Sequence, residues 1–456
     1  MSASPLDRRF EITARGSDVR TEVRGGVTTF LTMSYILFVN PAILAAAGVP
    51  FDAVTVATAL AAAIATIAMG VIANMPFALA SGLGLNAVVA FDIILGHKVG
   101  WAVGMACVVI EGLLALVLVF AGLREAVVRA VPTSLKLAIG VGIGLFITLV
   151  GLRQGGIVVN DPATGLALGD LTSGPPMIAL GGILVAIALA ARHVRGAILA
   201  GIATSAVLGL ISGVLDGPDA VARWPHGGDF ATIGDAWGSL GDALTWALVP
   251  TIFALFITDF FDTVGTAVAV GTAGGLVDEK GELPGIRRVL AVDSGAAALG
   301  GTFGVSSVTT YVESGAGVGE GARTGLSSVV TGLLFACAIF FVPLIAMVGQ
   351  QVPYADKTFI SPAVAPALVM VGYLMIRLIG GIDWEEPESA IPAFLTIAGI
   401  PMTFSISAGI GLGVIGFVLV MVVRGRVREI HPLMWLLVPL FLAFFADDWL
   451  SANVFT

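Results

Sequence analysis

Charge is scarce in this chain. Of its 456 residues only 12% are Asp, Glu, Lys or Arg, about half the share of an ordinary soluble domain. Cysteine is nearly absent. Cys107 and Cys337 each sit inside an apolar run, so they read as packing residues and no structural disulfide is expected. The four histidines, His97, His193, His226 and His431, fall in loops or at the ends of apolar runs. Their spacing suggests no metal site, and no cofactor is expected. No G-x-x-x-x-G-K-[ST] loop occurs, which argues against ATP-driven work by this chain alone. The YD and GxGD strings of an intramembrane aspartyl protease are missing, and no nucleophile–base set is visible. The balance of 22 basic and 31 acidic residues, a net charge of −9, argues against a nucleic-acid partner.

What the chain has instead is apolar length. Apolar residues make up 57% of it, with a mean hydropathy of +1.01. A membrane-crossing helix needs about 20 mostly apolar residues, so the composition fills roughly a dozen crossings. An all-α polytopic protein in a lipid bilayer is expected. A transmembrane barrel would show alternating strands of about 10 residues instead. The 59 glycines suit close helix packing and interrupted helices at membrane depth.

Apolar segments fall at about 27–47, 53–74, 78–94, 101–122, 133–151, 177–192, 196–215, 243–266, 286–301, 306–318, 322–348, 362–380, 388–402 and 405–423. That predicts fourteen segments, several too short to span alone. Residues 1–26 carry five arginines and no short apolar run with a cleavage site, which reads as a cytoplasmic tail. With that end inside, only Lys98, Arg153, Arg223 and Lys357 lie outside. Arg192, Arg195, Arg424, Arg426 and Arg428 then face the cytoplasm, as the positive-inside bias requires. The location expected is the inner (plasma) membrane. Keeping 388–402 and 405–423 apart, broken near Pro401, preserves this orientation. The run 433–446 reads as an interfacial segment. Residues 152–176 hold turn signals for a small hairpin, and 216–242 form an outer loop.

Seven segments precede that loop and seven follow it, so the halves are inverted relative to each other. The third segment of each half is rich in small polar residues: ALASGLGLNAVVAF (78–91) and GTFGVSSVTTYVESGAGVG (301–319). Paired, interrupted segments at matching places of two inverted halves point to a transporter site. An extended stretch near 304–309 leading into a helix that carries Glu313 is predicted.

Ionisable residues at membrane depth are costly and usually functional. Here they are Glu111, Asp259, Asp262, Asp293 and Glu313. Asp262 and Glu313, each among small residues, read as carboxylates facing one cavity, able to accept ligand N–H groups. Withdrawal from water also favours protonation of a carboxylate, so the same groups suit proton coupling. The alternative is a helix cap or a buried packing pair. Asp259 lies three residues before Asp262, roughly on one helix face, and could support it in coupling. Asp293 reads as a bond to a neighbouring helix, and Glu111 needs a partner that the sequence does not name. The amide of Asn86 both donates and accepts, which suits a heterocycle edge; the other reading is a helix N-cap. Thr309, Thr310 and Tyr311 either line the site or satisfy opened backbone. Phe30, Phe77, Phe261 and Phe303 are candidates for stacking on a flat ligand.

The strings TTFLTMSYILFVNP, GLGLNAVVAF, TDFFDTVGTA and SSVTTYVESGAGVGEGARTG resemble those of AzgA-type purine permeases in the nucleobase–ascorbate transporter superfamily. The likeness spans about residues 20–430. It implies fourteen segments in two inverted repeats of seven, with short strands in segments 3 and 10. It implies a core domain from residues 27–130 and 243–350 and a gate domain from 131–215 and 351–430. Residues 1–26, 216–242 and 431–456 are then the tail, the outer loop and the C-terminal segment. By the resemblance Asp262 and Glu313 match the two substrate-facing acids, and Gly84 with Asn86 the segment-3 contacts. Thr310 and Phe261 complete the expected substrate set, and Asp259 joins the two acids in coupling. Thr266 stands where the uracil permease pattern has histidine, which favours the purine branch.

The function implied is import of adenine, guanine or hypoxanthine by symport, H⁺ over Na⁺, with an elevator-like movement of core against gate. A homodimer is allowed by analogy. The competing reading is a sulfate-type anion carrier on the same fold. Half-helix N-termini favour anions, but Glu313 beside them would repel one unless protonated.

Overall fold

The computed structural model describes residues 4–122, 131–194, 196–278, 283–354 and 358–446, except the side chains of Phe261 and Thr358. Eight described helices are long and apolar enough to cross a membrane: Val19–Ala45, Phe51–Ala73, Trp101–Ala121, Thr133–Gln154, Gly174–Ala191, Val249–Ala273, Gly325–Val348 and Ile406–Val423. Shorter apolar helices cover Leu83–Gly96, Ala197–Ser212, Ala365–Gly381 and Pro432–Phe445. Ile286–Phe303 and Pro387–Thr403 are helical too. The chain is therefore a mostly helical membrane protein.

Several boundaries have visible local causes. The first long helix starts at Val19, inside the stretch expected to be tail, because the Asp18 side chain accepts from the Thr21 N–H and caps it; such a cap is worth about 1 kcal/mol. The break expected near Pro401 falls at Phe404, whose φ of 55° cannot continue a helix. A new helix begins at Ile406, capped by Ser405. The hairpin expected in 152–176 is present as β2 (Val158–Asp161) paired with β3 (Gly165–Leu168). Pro432–Phe445 is a helix of 14 residues that buries Met434, Leu437 and Phe441 and packs on Ile406–Val423. A second hairpin, β5 (Val352–Tyr354) with β6 (Thr358–Ile360), was not foreseen.

Glycine sets the closest helix approaches. A Cβ on Gly112 would lie 2.3 Å from the backbone nitrogen of Ala298, and one on Gly70 would lie 2.4 Å from the carbonyl oxygen of Gly325. Both are closer than real Cβ contacts. Packing then groups the helices. Val19–Met33, Phe51–Ala68, Trp101–Ala121, Ile286–Phe303 and Gly325–Ala338 pack on one another. Thr133–Gln154, Gly174–Ala191, Ala365–Ile376 and Pro387–Thr403 pack on one another as well.

At the centre, two short strands cross. β1 (Leu79–Ser81) pairs antiparallel with β4 (Val308–Thr310), with Ala80 opposite Thr309. Both strands are fully buried. Two further bonds extend the ladder: Gly82 N–H to Ser307 C=O and Tyr311 N–H to Ala78 C=O, each 2.9 Å. Backbone polar groups at this depth have no water to bond. Each strand therefore satisfies the other, and neither is stable alone at three residues.

Candidate functional site

The strand crossing aims the chain at one place. After β4, Tyr311 donates its hydroxyl to Ser81 C=O, and a six-residue helix, Ser314–Gly319, starts with Glu313 at its N-cap position. The extended stretch is thus Val308–Thr310, slightly later than expected, and Glu313 stands at the helix end rather than inside it. Glu313 Oε1 accepts a 2.5 Å bond from the hydroxyl of Tyr35, which is 1% exposed. A charge-assisted bond this short holds the carboxylate in one orientation.

Asp262 lies halfway along Val249–Ala273. It is exposed. Gly265 and Gly315, one turn from Asp262 and two residues from Glu313, have nothing within 4 Å of where a Cβ would stand. The two carboxylates lie within electrostatic range of each other. Asp262 has no hydrogen-bond partner among the described residues, so a ligand donor would find it free.

Asp259 and Asp262 do not share a surface. Asp259 is 2% exposed and turned inward. There it meets Glu111, which is 0% exposed on Trp101–Ala121; the two carboxyl groups lie within hydrogen-bonding reach. Asp293 completes the buried acids. Its Oδ2 accepts from Thr263 at 2.5 Å, and its Oδ1 accepts from the Thr310 N–H at 2.9 Å and the Thr310 hydroxyl at 2.8 Å. Asp293 ties β4 to the Val249–Ala273 helix. The Thr310 hydroxyl is committed to this bond, and Thr309 bonds Thr263 at 2.8 Å. Both threonine hydroxyls are thus engaged by side chains, while the Tyr311 hydroxyl satisfies a backbone carbonyl.

On the other broken segment, Gly82 rather than Asn86 occupies the N-cap of Leu83–Ala87. Asn86 is buried; its Oδ1 accepts from Ser81 at 2.6 Å and its Nδ2 has no partner. Gly84 is close-packed, since a Cβ there would meet Ile143 Cγ2 at 2.8 Å. Phe77 is core at 0% exposure, Phe30 stacks edge-on against Phe335 at 5.1 Å, and Phe303 packs on the core. The Phe261 side chain and Arg195 lie outside the described residues. Among the described residues, no group of three or more His, Cys, Asp or Glu is arranged to hold a metal ion.

Two functional candidates escaped the sequence reading. Tyr35 lay in an apolar run, where a lone hydroxyl is a weak signal. Asp92 lay in the third segment, and the cost of an ionisable group at membrane depth should have singled it out. It is 5% exposed and accepts from the Ser405 hydroxyl at 2.7 Å and the Ser407 N–H at 3.0 Å. It thereby joins the broken segment to the N-terminus of Ile406–Val423. Nearby, a cavity of about 590 Å³ opens between Phe91, Arg153, Asn160, Tyr354 and Phe404. It does not include Asp262 or Glu313.

A family described as "Permease family" matches residues 20–412. The guanine/hypoxanthine permease PbuG of Bacillus subtilis is 40% identical over 96% of this chain and 98% of its own length. The adenine permease AdeP of Escherichia coli is 37% identical over 96% and 95%. Among solved structures, the transmembrane domain of the cyanobacterial bicarbonate transporter BicA superposes with a TM-score of 0.60 at 15% identity, over 86% of this chain and 97% of that one. The murine anion transporter Slc26a9 gives 0.60 at 10% identity, over 89% and 69%; these two likenesses concern the fold. The chain belongs to this permease family, in its AzgA-type branch, and is a membrane carrier rather than an enzyme.

Proposed function

We propose that this chain is a secondary active transporter that imports purine nucleobases by proton symport. One observation carries the reading: two carboxylates, Asp262 and Glu313, lie within electrostatic range of each other beside the buried β1–β4 pair, each near a glycine with open space around it. Purines present several N–H donors on a flat edge. A carboxylate accepts two such donors, and charge-assisted bonds are about twice as strong as neutral ones. Asn86, whose Nδ2 is unpartnered, adds a donor for a ring nitrogen or carbonyl. Guanine, hypoxanthine and adenine are the cargoes named for relatives at 37–40% identity.

In the proposed architecture fourteen segments form two inverted repeats. Residues 27–130 and 243–350 act as a core that moves against a gate of 131–215 and 351–430. The two packing groups support this division. The tail and basic loops face the cytoplasm of the inner membrane, and two chains assemble as a homodimer. Core movement requires Asp92 to release Ser405 and Ser407, and Gly84 to slide past Ile143.

An anion carrier on the same fold is the other candidate. Fold likeness at 10–15% identity does not carry cargo chemistry, and two neighbouring carboxylates oppose an anion. Labelled adenine and hypoxanthine uptake should be measured in cells lacking their own purine carriers. Competition by purines but not by uracil or sulfate is expected. Competition by sulfate alone would overturn the proposal.

A further inference from the structure

We propose that Glu111 and Asp259 share a single proton and form the store that couples proton movement to Asp262 and Glu313. The inference rests on the transporter reading above and goes beyond it by assigning Glu111. Glu111 Oε1 and Asp259 Oδ1 are buried oxygens with no hydrogen-bond donor, yet the two side chains lie within hydrogen-bonding reach. Two carboxylates offer only acceptors. A bond between them exists only if one proton sits between them, and without it two adjacent charges would be buried unpaired, the costliest arrangement for such groups.

Among the described residues, no cation is among the groups acting on either carboxyl. The other titratable group facing Glu111 is Asp293 on Ile286–Phe303. Asp259 also meets Asp262, one turn along its own helix. Of the other elements packed on Trp101–Ala121, the segment Val88–Gly96 carries Asp92, held by Ser405 and Ser407. The short outer helices carry Asp235 and Asp242, both exposed. Arg287, on the Asp293 helix, donates to the Phe120 carbonyl instead.

The store is wired to Asp262 and Glu313 by two routes. Asp262 lies at i+3 on the same helix and is open. Ser307 Oγ lies 3.4 Å from Glu111 Oε2, and Thr309, near Asp259, bonds Thr263. Both residues belong to the strand segment that ends in Glu313. A proton enters at Asp262, passes to Asp259 Oδ1 and is held against Glu111 Oε1. Its release leaves both groups ionised, and the repulsion pushes on the strand that carries Glu313.

The test uses the full chain in liposomes with a pH-sensitive dye inside. In the wild type, adenine or hypoxanthine entry should acidify the lumen. In Glu111→Gln the amide Nε2 donates permanently to Asp259 and mimics the protonated pair. Purine counterflow should persist, while proton influx per purine falls at least about tenfold. Binding should lose its pH dependence, changing less than about threefold between pH 6 and pH 8. Wild-type proton influx and pH dependence in Glu111→Gln would overturn the inference. Should that variant not fold, infrared spectra of the wild type and of Asp259→Asn decide: a protonated-carboxyl band present in the first and lost in the second supports the pair, and an unchanged band sinks it. Failure of the wild type to carry any purine would refute the transport reading alone, since the infrared arm still reads the pair.

Discussion

Asp259 and Asp262 stand one helical turn apart, carry the same chemistry and live in different worlds. Asp262 is exposed, with open space at Gly265 and Gly315 nearby. Asp259 is buried next to Glu111. The same contrast separates Glu313, half-buried and held by Tyr35, from Asp293, whose two oxygens accept three bonds. The acids thus divide into a pair less deeply buried, Asp262 and Glu313, and a buried set of Asp259, Glu111 and Asp293. The neighbouring helix decides the class, because a three-residue step turns the side chain by only about 60°.

Mutations can break or sharpen this division. The largest effect is expected at the less buried pair. Glu313→Gln turns part of an acceptor edge into a donor, and loss of a bond to a charged group costs roughly 1.5–3 kcal/mol, about 10- to 150-fold in affinity. Glu313→Gln and Asp262→Asn should each abolish purine uptake with membrane expression intact. Wild-type binding in Glu313→Gln would move the site elsewhere. Asp293→Asn should act on folding first. It removes one of two acceptors for Thr263 and Thr310, so the detergent-purified protein should lose on the order of 1.5–3 kcal/mol of stability, read as a lower melting temperature, with uptake reduced less than in Glu313→Gln.

Asp92 probes a third situation, an acid between the two helix groups. Asp92→Asn should shift the balance between arrangements of the groups, visible as changed distances between spin labels on Trp101–Ala121 and Thr133–Gln154. Turnover should change with little change in KM. Identical distance distributions would separate Asp92 from the movement. The smallest effect belongs to Asp229, outside the membrane helices. Its bond to Arg223 holds the carboxyl below its ordinary value of 3.8. A depressed folded value contributes stability above the unfolded value and loses it as pH falls through the folded one. Asp229→Asn should therefore lower the melting temperature slightly at neutral pH, and the gap to wild type should close below about pH 4.

Much of this was legible beforehand. Apolar runs located most helices to within a few residues; the exceptions are Val19, where the Asp18 cap extended the helix, and Val249–Ala273, which lies six to seven residues beyond the expected 243–266. The string VTTYVES announced an extended entry to a short helix, because β-branched residues and flanking glycines disfavour a continuous one. The β5–β6 hairpin stayed hidden, since three-residue strands carry almost no periodic signal. Asn86 looked like a cap or a ligand contact. The structure removes the cap, because Gly82 takes that place, and leaves the amide nitrogen free.

Composition and spacing alone determined that this chain lies in a membrane, that its helices pack closely through glycine, and that two matching segments are broken. Those properties depend on local hydropathy and backbone preference, which each stretch carries within itself. Which acids meet water, which meet each other, and which hydroxyl holds Glu313 depended on the tertiary structure. Tyr35 and Glu313 are 278 residues apart, and Asp92 and Ser405 are 313 apart. Contacts of that range arise only when the strand crossing brings the two halves together, and no pattern within either half encodes them.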